Sequence, residues 1–345
     1  MDERPKLSVV IPCRNERKAL PRCLDSLIAN DFPHERLEIW VVDGNSDDGT
    51  AEIAKEYASR YPFIKLLHNS GKTTPAGLNA GVRRSSGRFV LILGCHSEVS
   101  RDFLSRNALA LETCAVDCVG GVLETTAPRE SALARSIAFA MGHIFGVGNS
   151  RFRVGTTEPR LVETVPFGCY RREVFDRIGY FDEQLVRDQD EEFNFRLVAS
   201  GGKILLDPRI VAKYQARDSL RKLWRMHYQY GLFKPIVAKK VRGIFGWRQL
   251  VPPAFVFGLV SGFLSLLLAP GAVWYLAMVT FPYLAMNLAI TGFVCLQRRS
   301  LRYSPLAIVF PTIHLAYGIG YWGGLLALLT DRFGGREMRG MDLSR

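Results

Sequence analysis

Val41-Val42-Asp43-Gly44-Asn45-Ser46-Asp47-Asp48-Gly49-Thr50 decides the fold: an apolar run ends on a carboxylate, a glycine follows, and two further acids precede a helical pattern. Strand, loop and helix in that order are the repeating unit of a parallel sheet flanked by helices. Working outward, residues 7–11, 38–42, 64–67 and 89–93 read as strands. Residues 18–29, 50–60 and 75–85 read as helices, the first with Leu20, Leu24, Leu27 and Ile28 on one face. In an open α/β sheet the ligand sits beyond the carboxyl ends of the strands. That rule selects residues 12–16, 43–48, 68–72 and 94–98. Asp43, at a strand end, is placed to accept hydrogen bonds from a ligand, whereas Asp47 and Asp48 read as caps of the following helix. No G-x-G-x-x-G follows any of these strands and no Walker A pattern occurs, which argues against dinucleotide and P-loop sites of those kinds.

The C-terminal third is of another character. Residues 250–268, 272–296 and 306–330 contain no Lys, Arg, Asp or Glu, and each run approaches or exceeds the roughly 20 apolar residues that span a bilayer. Three membrane passes are the simplest expectation, with a re-entrant hairpin in place of one of them as the alternative, because Pro252, Pro253, Pro270, Pro282, Pro305 and Pro311 punctuate this region. The formal charge of +12 is unevenly placed: residues 213–248 hold ten Lys or Arg and one acid, Asp218, together with Trp224, Tyr228, Tyr230, Phe233 and Trp247. A basic, aromatic stretch beside a membrane run reads as contact with anionic headgroups on the cytosolic face and not as a nucleic-acid reader. Arg298, Arg299 and Arg302 agree with that orientation, while Arg332, Arg336 and Arg339 after the third run oppose it. Residues 1–6 are charged and residues 7–12 too short for the core of a secretion signal, so no leader is expected. Seven cysteines without C-x-x-C spacing indicate reduced cytosolic thiols.

Two further clusters carry potential chemistry. Gly94-Cys95-His96-Ser97-Glu98 follows the fourth strand, and His96, helped by Glu98, is a candidate for a divalent ion holding a diphosphate. A structural histidine is the alternative. Arg187-Asp188-Gln189-Asp190-Glu191-Glu192 opens a helix, where acids are favoured by the dipole alone; one of them is also a candidate general base. Residues 131–153 are Ala-rich, then carry Gly142, Gly146 and Gly148, and read either as a surface helix with a mobile loop or as a buried helix followed by a turn.

Taken in order, Val9-Val10-Ile11-Pro12-Cys13-Arg14-Asn15-Glu16, the Asp43 stretch, Pro75-Ala76-Gly77-Leu78-Asn79-Ala80-Gly81, Phe145-Gly146-Val147-Gly148-Asn149, Gly168-Cys169-Tyr170-Arg171-Arg172-Glu173-Val174-Phe175 and Gln189-Asp190 resemble family 2 glycosyltransferases of the GT-A fold. Within that family the chain looks most like the succinoglycan-type enzymes of bacterial exopolysaccharide synthesis. The resemblance implies an α/β, Rossmann-like GT-A domain over residues 1–215, a basic amphipathic interfacial segment over 216–248, about three transmembrane helices over 249–330 and a tail over 331–345. It implies that Pro12, Arg14, Asn15, Glu16, Asp43, Lys72, Asn79, Gly94 and Cys95 bind a nucleotide sugar, UDP-glucose by default, with Asp43 on the uracil. His96 would touch Mn²⁺ or Mg²⁺, and Asp190 would be the general base of an inverting single displacement. Gly168, Cys169, Gln189, Arg225 and Tyr228 would line the acceptor side. The acceptor would be a polyprenyl-diphosphate-linked or other membrane-proximal glycan, the partner a glycan-assembly complex, and the location the inner membrane with the catalytic domain in the cytosol.

One departure stands out. The family carries Asp-x-Asp, or Asp-x-His in the succinoglycan-like branch, where this chain has Gly94-Cys95-His96, so the first acid is missing. The Gln-x-x-Arg-Trp pattern of processive synthases is absent too, which implies one sugar per acceptor. The competing readings are a non-catalytic nucleotide-binding membrane partner and a small transporter. Against the latter, the three apolar runs hold His314 as their one residue that titrates near neutrality.

Overall fold

The computed structural model describes residues 6–241 and 246–330. Along the chain run β1 (Leu7–Cys13), α1 (Leu20–Ile28), β2 (Leu37–Asp43), α2 (Thr50–Arg60), β3 (Ile64–His68), α3 (Thr74–Arg84), β4 (Phe89–Ile92), β5 (Ser97–Val99), α4 (Phe103–Thr113), β6 (Cys118–Thr126), α5 (Ala132–Ala140), α6 (Ile144–Val147) and α7 (Arg151–Val154). They continue as β7 (Arg160–Val162), β8 (Cys169–Arg171), α8 (Glu173–Ile178), α9 (Gln189–Ala199), β9 (Ile204–Gln215), α10 (Leu220–Val241), α11 (Val251–Leu266), α12 (Val273–Gln297) and α13 (Leu306–Leu329). Two compact units result, one from residues 6–124 with 151–214 and the other from 125–150 with the described part of 215–330. Arg332, Arg336, Arg339 and the expected tail, residues 331–345, lie outside the described residues.

The first unit is built on a nine-stranded sheet in the order β3-β2-β1-β4-β8-β6-β9-β5, with β7 beside β9. The first four are parallel, with Cys13 level with Asp43 and Asp43 level with His68, so their carboxyl ends finish on one line. β1 and β2 are buried along almost their whole length, which is why they read as continuous apolar runs and not as alternation. α1 buries Leu20, Cys23, Leu24 and Leu27 in the core, the helical spacing seen in the sequence, and each leucine contributes roughly 1.5–3 kcal/mol of burial. The sheet is mixed where the sequence suggests a purely parallel one. β8 runs antiparallel to β4 and β6, and β5 and β7 run antiparallel to β9. Three of these strands are three residues long, too short to show a period in sequence.

On β2, Glu38 is buried and its carboxylate accepts from Ser8 Oγ at 2.7 Å, Ser86 N at 2.5 Å and Lys65 Nζ at 3.2 Å. Burial alone pushes its pKa up, but the bonds from Ser86, Ser8 and Lys65 outweigh it and hold the carboxyl below the ordinary range.

In the second unit three helical spans are long and apolar enough to cross a membrane, Trp247–Leu266, Val273–Gln297 and Leu301–Leu329, at the three places the sequence indicates. Glycines set their packing. A Cβ on Gly231 of α10 would lie 2.0 Å from Tyr317 O, one on Gly320 of α13 2.1 Å from Tyr228 O, and one on Gly324 2.2 Å from Leu232 O. The backbones of α10 and α13 therefore touch, the small-residue packing typical of membrane helices. Residues 131–153 resolve toward the buried-helix reading: α5 buries Ala134, Ile137 and Ala140, and Ser136 Oγ donates to Arg302 O at 3.4 Å. His314, the one imidazole in the apolar runs, is structural. Its Nε2 lies 2.7 Å from Phe145 O and its Nδ1 2.8 Å from Tyr283 Oη, so it ties α6, α12 and α13 together.

Candidate active site

Four strand-end loops of the first unit converge. Gly44 has Arg14 Cβ, Cys13 O and Lys72 O within 3.4 Å of where its own Cβ would stand, so glycine lets the loops after β1, β2 and β3 approach this closely without a neighbour giving way. Asp43 is buried at the end of β2, and Ser46 holds it with N–H to Oδ2 at 3.1 Å and Oγ to Oδ1 at 2.5 Å. Asn15 N donates to Ser46 Oγ at 2.9 Å and Asp47 N donates to Asn15 Oδ1 at 3.0 Å, which pins the β1 loop to the β2 loop. Asp48 accepts from Thr50 N and Arg17 N, at 3.0 and 3.1 Å. Burial raises its pKa, while the bonds from Thr50 and Arg17 more than offset this and keep it below the usual carboxylate range. Of the two acids read as caps of α2, Asp48 bonds the first helical N–H, that of Thr50, while the N-cap position itself is Gly49 and Asp47 contributes its backbone N–H to Asn15.

The loop after β4 closes the rim. His96 Nε2 lies 2.9 Å from Glu16 Oε1, joining residues eighty positions apart. Glu98, the suggested helper of His96, instead has its carboxylate 3.8 Å from Arg22 Nε. A Cβ on Gly94 would stand 2.9 Å from Phe167 Cε1, so an aromatic ring fills the place of the absent acid. Sequence reasoning passed over Phe167; the missing side chain at Gly94 was the signal that some other residue occupies that space.

Six non-glycine residues among those described have a left-handed backbone. Five of them, Asn15, Asn45, Lys72, Phe167 and Asp188, lie in loops of this unit that carry candidate residues. Such conformations cost about 1 kcal/mol or more each and collect where function needs a fixed geometry.

Asp188, Gln189 and Asp190 sit at the start of α9, and α9 is held rigidly. Asn194 on α9 accepts from Tyr170 Oη at 2.7 Å and donates to Thr164 Oγ1 at 2.9 Å. Phe193 stacks on Phe181 with centroids 4.4 Å apart. Arg196 donates to Tyr180 O at 2.9 Å and to Glu192 at 2.8 Å. Burial drives the Tyr170 phenol well above its ordinary pKa, with the Cys118 thiol and Asp190 adding to the rise, so it serves as a neutral donor beneath the α9 start.

The remaining candidates divide. Arg14 and Lys72 are exposed at the rim, and Pro12 underlies it, 3.1 Å from the Cβ position of Gly77. Asn79 stands apart: its Nδ2 donates to Phe181 O and Glu183 Oε1, and its Oδ1 accepts from Phe181 N, all at 2.9 Å. Cys95 and Cys169 are buried, and Gly168 leaves room for the Tyr170 ring, 2.6 Å from its Cβ position. Burial raises the Cys13, Cys23, Cys118 and Cys169 thiols, Cys23 up to about 12, which makes them inert. Arg225 and Tyr228 belong to α10 of the second unit, where Arg225 is exposed and Tyr228 packs against α13.

A family model, "Glycosyl transferase family 2", matches residues 8–179. A Methanococcus voltae protein named dolichyl N-acetyl-alpha-D-glucosaminyl phosphate 3-beta-D-2,3-diacetamido-2,3-dideoxy-beta-D-glucuronosyltransferase is 28% identical over 328 residues, covering 93% of this chain and 97% of that one. The succinoglycan biosynthesis protein ExoA of Rhizobium meliloti is 26% identical over 325 residues, covering 92% and 94%. Among solved structures, the mannosyltransferase of Pyrobaculum calidifontis in complex with GDP-Man and Mn²⁺ superposes with a TM-score of 0.58 at 19% identity, over 95% of this chain and 88% of that one. The strand-end rim described above is that of a GT-A fold, and the chain belongs to glycosyl transferase family 2.

Proposed function

We propose that this glycosyltransferase moves one hexose, with inversion, from a nucleotide sugar onto a polyprenyl-phosphate-linked or other membrane-proximal glycan. The observation that carries the reading is the convergence of Asp43, the Asn15–Ser46 clamp, Lys72 and the Glu16–His96 pair on one rim beyond the parallel strands. Asp43 takes the base of the nucleotide, UDP being the expected one, and Arg14 and Lys72 supply cations for the diphosphate. Asp190, on an α9 start that Tyr170 and Asn194 hold in place, accepts the proton of the attacking hydroxyl. The lipid-linked acceptor draws support from the Methanococcus relative, whose name specifies a dolichyl-phosphate-linked sugar.

The Glu16 carboxylate is a donor of the type suited to Mn²⁺ or Mg²⁺, and the His96 imidazole 2.9 Å from it is the ligand the family resemblance implies. Among the described residues no three His, Cys, Asp or Glu side chains cluster as ligands, so substrate phosphates would complete the shell, as they commonly do for such ions. When bound, the ion supplies charge neutralisation for the departing diphosphate. The basic α10 and Arg298, Arg299 and Arg302 favour a multi-pass protein of the inner membrane with its sugar-transfer unit in the cytosol.

The test uses detergent-purified protein with labelled UDP-glucose, UDP-galactose, UDP-N-acetylglucosamine or GDP-mannose, a polyprenyl-lipid extract, and Mn²⁺, Mg²⁺ or EDTA. Label from one donor in the organic phase, lost with EDTA, is expected. No label from any donor, with nucleotide still bound, would overturn catalysis and favour a non-catalytic partner of a glycan-assembly complex.

A further inference from the structure

A cavity of about 380 Å³ opens in the second unit, away from the strand-end loops in sequence and lined entirely by residues of that unit. Thr125, Gly142, His143, Gln297 and Arg298 give it a polar end, while Ala138, Phe139, Phe293 and Val294 give it an apolar wall. It lies at the point where α12 leaves its apolar span, since Arg298 caps that helix and Phe293 is exposed on its flank.

The polar end is a set of donors. Thr125 Oγ1 is buried and has no hydrogen-bond partner among the described residues, a state that costs free energy unless a ligand satisfies it. His143 Nδ1 accepts from Phe145 N at 3.2 Å, so the proton of the neutral ring sits on Nε2, which becomes a donor. Arg298 has its guanidinium 5.9 Å from the Phe139 centroid, and Arg299 and Arg302 follow it in the chain. The carboxyl end of α12 brings roughly half a negative charge of its own, so an anion here depends on these side-chain cations and not on the helix.

We propose that this cavity seats the phosphate of an isoprenyl phosphate, the lipid end of the acceptor, with the first isoprene units along Phe293 and Phe139. The assignment rests on the reading of the acceptor as lipid-linked. A phosphate ester needs convergent donors and one cation, and its chain needs an apolar exit toward the bilayer; the cavity offers both within one unit. A free phosphate would use only the polar end, and a diacyl phospholipid would need room for two chains.

The probe is farnesyl phosphate, titrated against the full chain in detergent, with inorganic phosphate, farnesol and lysophosphatidate as comparisons. Binding of farnesyl phosphate at least tenfold tighter than the other three is expected. Arg298→Gln should weaken it about tenfold or more, the scale of a charge-assisted bond, and leave nucleotide binding unchanged. Thr125→Val is the sharper variant: removing an unpaired buried hydroxyl should leave or raise the melting temperature yet weaken farnesyl phosphate several-fold. Farnesyl phosphate affinity unaffected by both variants, or lysophosphatidate binding equally well, would overturn the assignment. Should farnesyl phosphate bind here while no nucleotide sugar supports transfer, the transferase reading falls and the lipid site stands. Transfer that proceeds while farnesyl phosphate ignores Arg298 and Thr125 gives the reverse.

Discussion

Asn79→Ala separates a ligand contact from a positioning residue. The side chain is buried, and its amide closes a ring of hydrogen bonds with both backbone groups of Phe181, plus one to Glu183. Glu183 is exposed, so water replaces its bond at little cost. Truncation leaves the Phe181 N–H and C=O buried without partners, at about 1–3 kcal/mol each. A total loss of about 3 kcal/mol corresponds to a melting temperature lower by roughly 6–12 °C for a unit of this size. Asn79→Asp should be at least as severe, because its second oxygen would face the Phe181 carbonyl. The segment these bonds anchor leads into Asp190, so turnover should fall while the KM for the nucleotide sugar holds. Thermal unfolding followed by tryptophan fluorescence, with nucleotide titration on the same samples, reads both quantities. A tenfold weaker nucleotide affinity with unchanged melting would refute the reasoning and return Asn79 to the donor site.

Other outcomes follow from the same geometry. Glu38→Ala should cost about 3 kcal/mol, since Ser8, Ser86 and Gly87 lose a charged acceptor. The folded-state pKa of Glu38 is depressed, so its stabilisation is present above the unfolded value of about 4.3 and is lost as pH falls through the folded value. Melting curves across pH 3–6 should show an acid limb in the native chain that is shallower in the variant. Gly94→Ala should destabilise by about 1–2 kcal/mol through the Phe167 ring, and Phe167→Ala should remove that penalty in a double-mutant cycle. Gly320→Leu should break the α10–α13 seam, where a Cβ meets Tyr228 O at 2.1 Å, and appear as loss of folded protein in detergent extracts.

What the sequence discloses tracks the range of the interactions involved. β1 to β4, α1 to α3 and the three apolar helices announce themselves by local period and length, and helix α2 runs over the same residues, Thr50–Arg60, that its spacing marks. Asp43 is legible because it ends an apolar run before a glycine. The Glu16–His96 pair, the Phe167 ring over Gly94 and the Asn79–Phe181 bridge join residues 73 to 102 positions apart, and no local pattern encodes such meetings. The placement of α5 against α13 is hidden for the same reason. Asn79 is a case in point: its motif suggests a donor contact, while its amide bonds to Phe181 and Glu183 are visible only in the folded chain.

The measurement that bears most directly on the central claim compares wild type with Asp190→Asn in lipid-directed sugar transfer, with nucleotide binding and melting temperature measured in parallel. Asparagine keeps the shape and the hydrogen bond to Glu191 N but cannot take a proton at neutral pH. Turnover reduced by about 10²-fold or more, with nucleotide affinity and melting unchanged, is the predicted result. Transfer at the wild-type rate would contradict it, leaving Asp190 as an acid at a helix start and the proposed mechanism without its base.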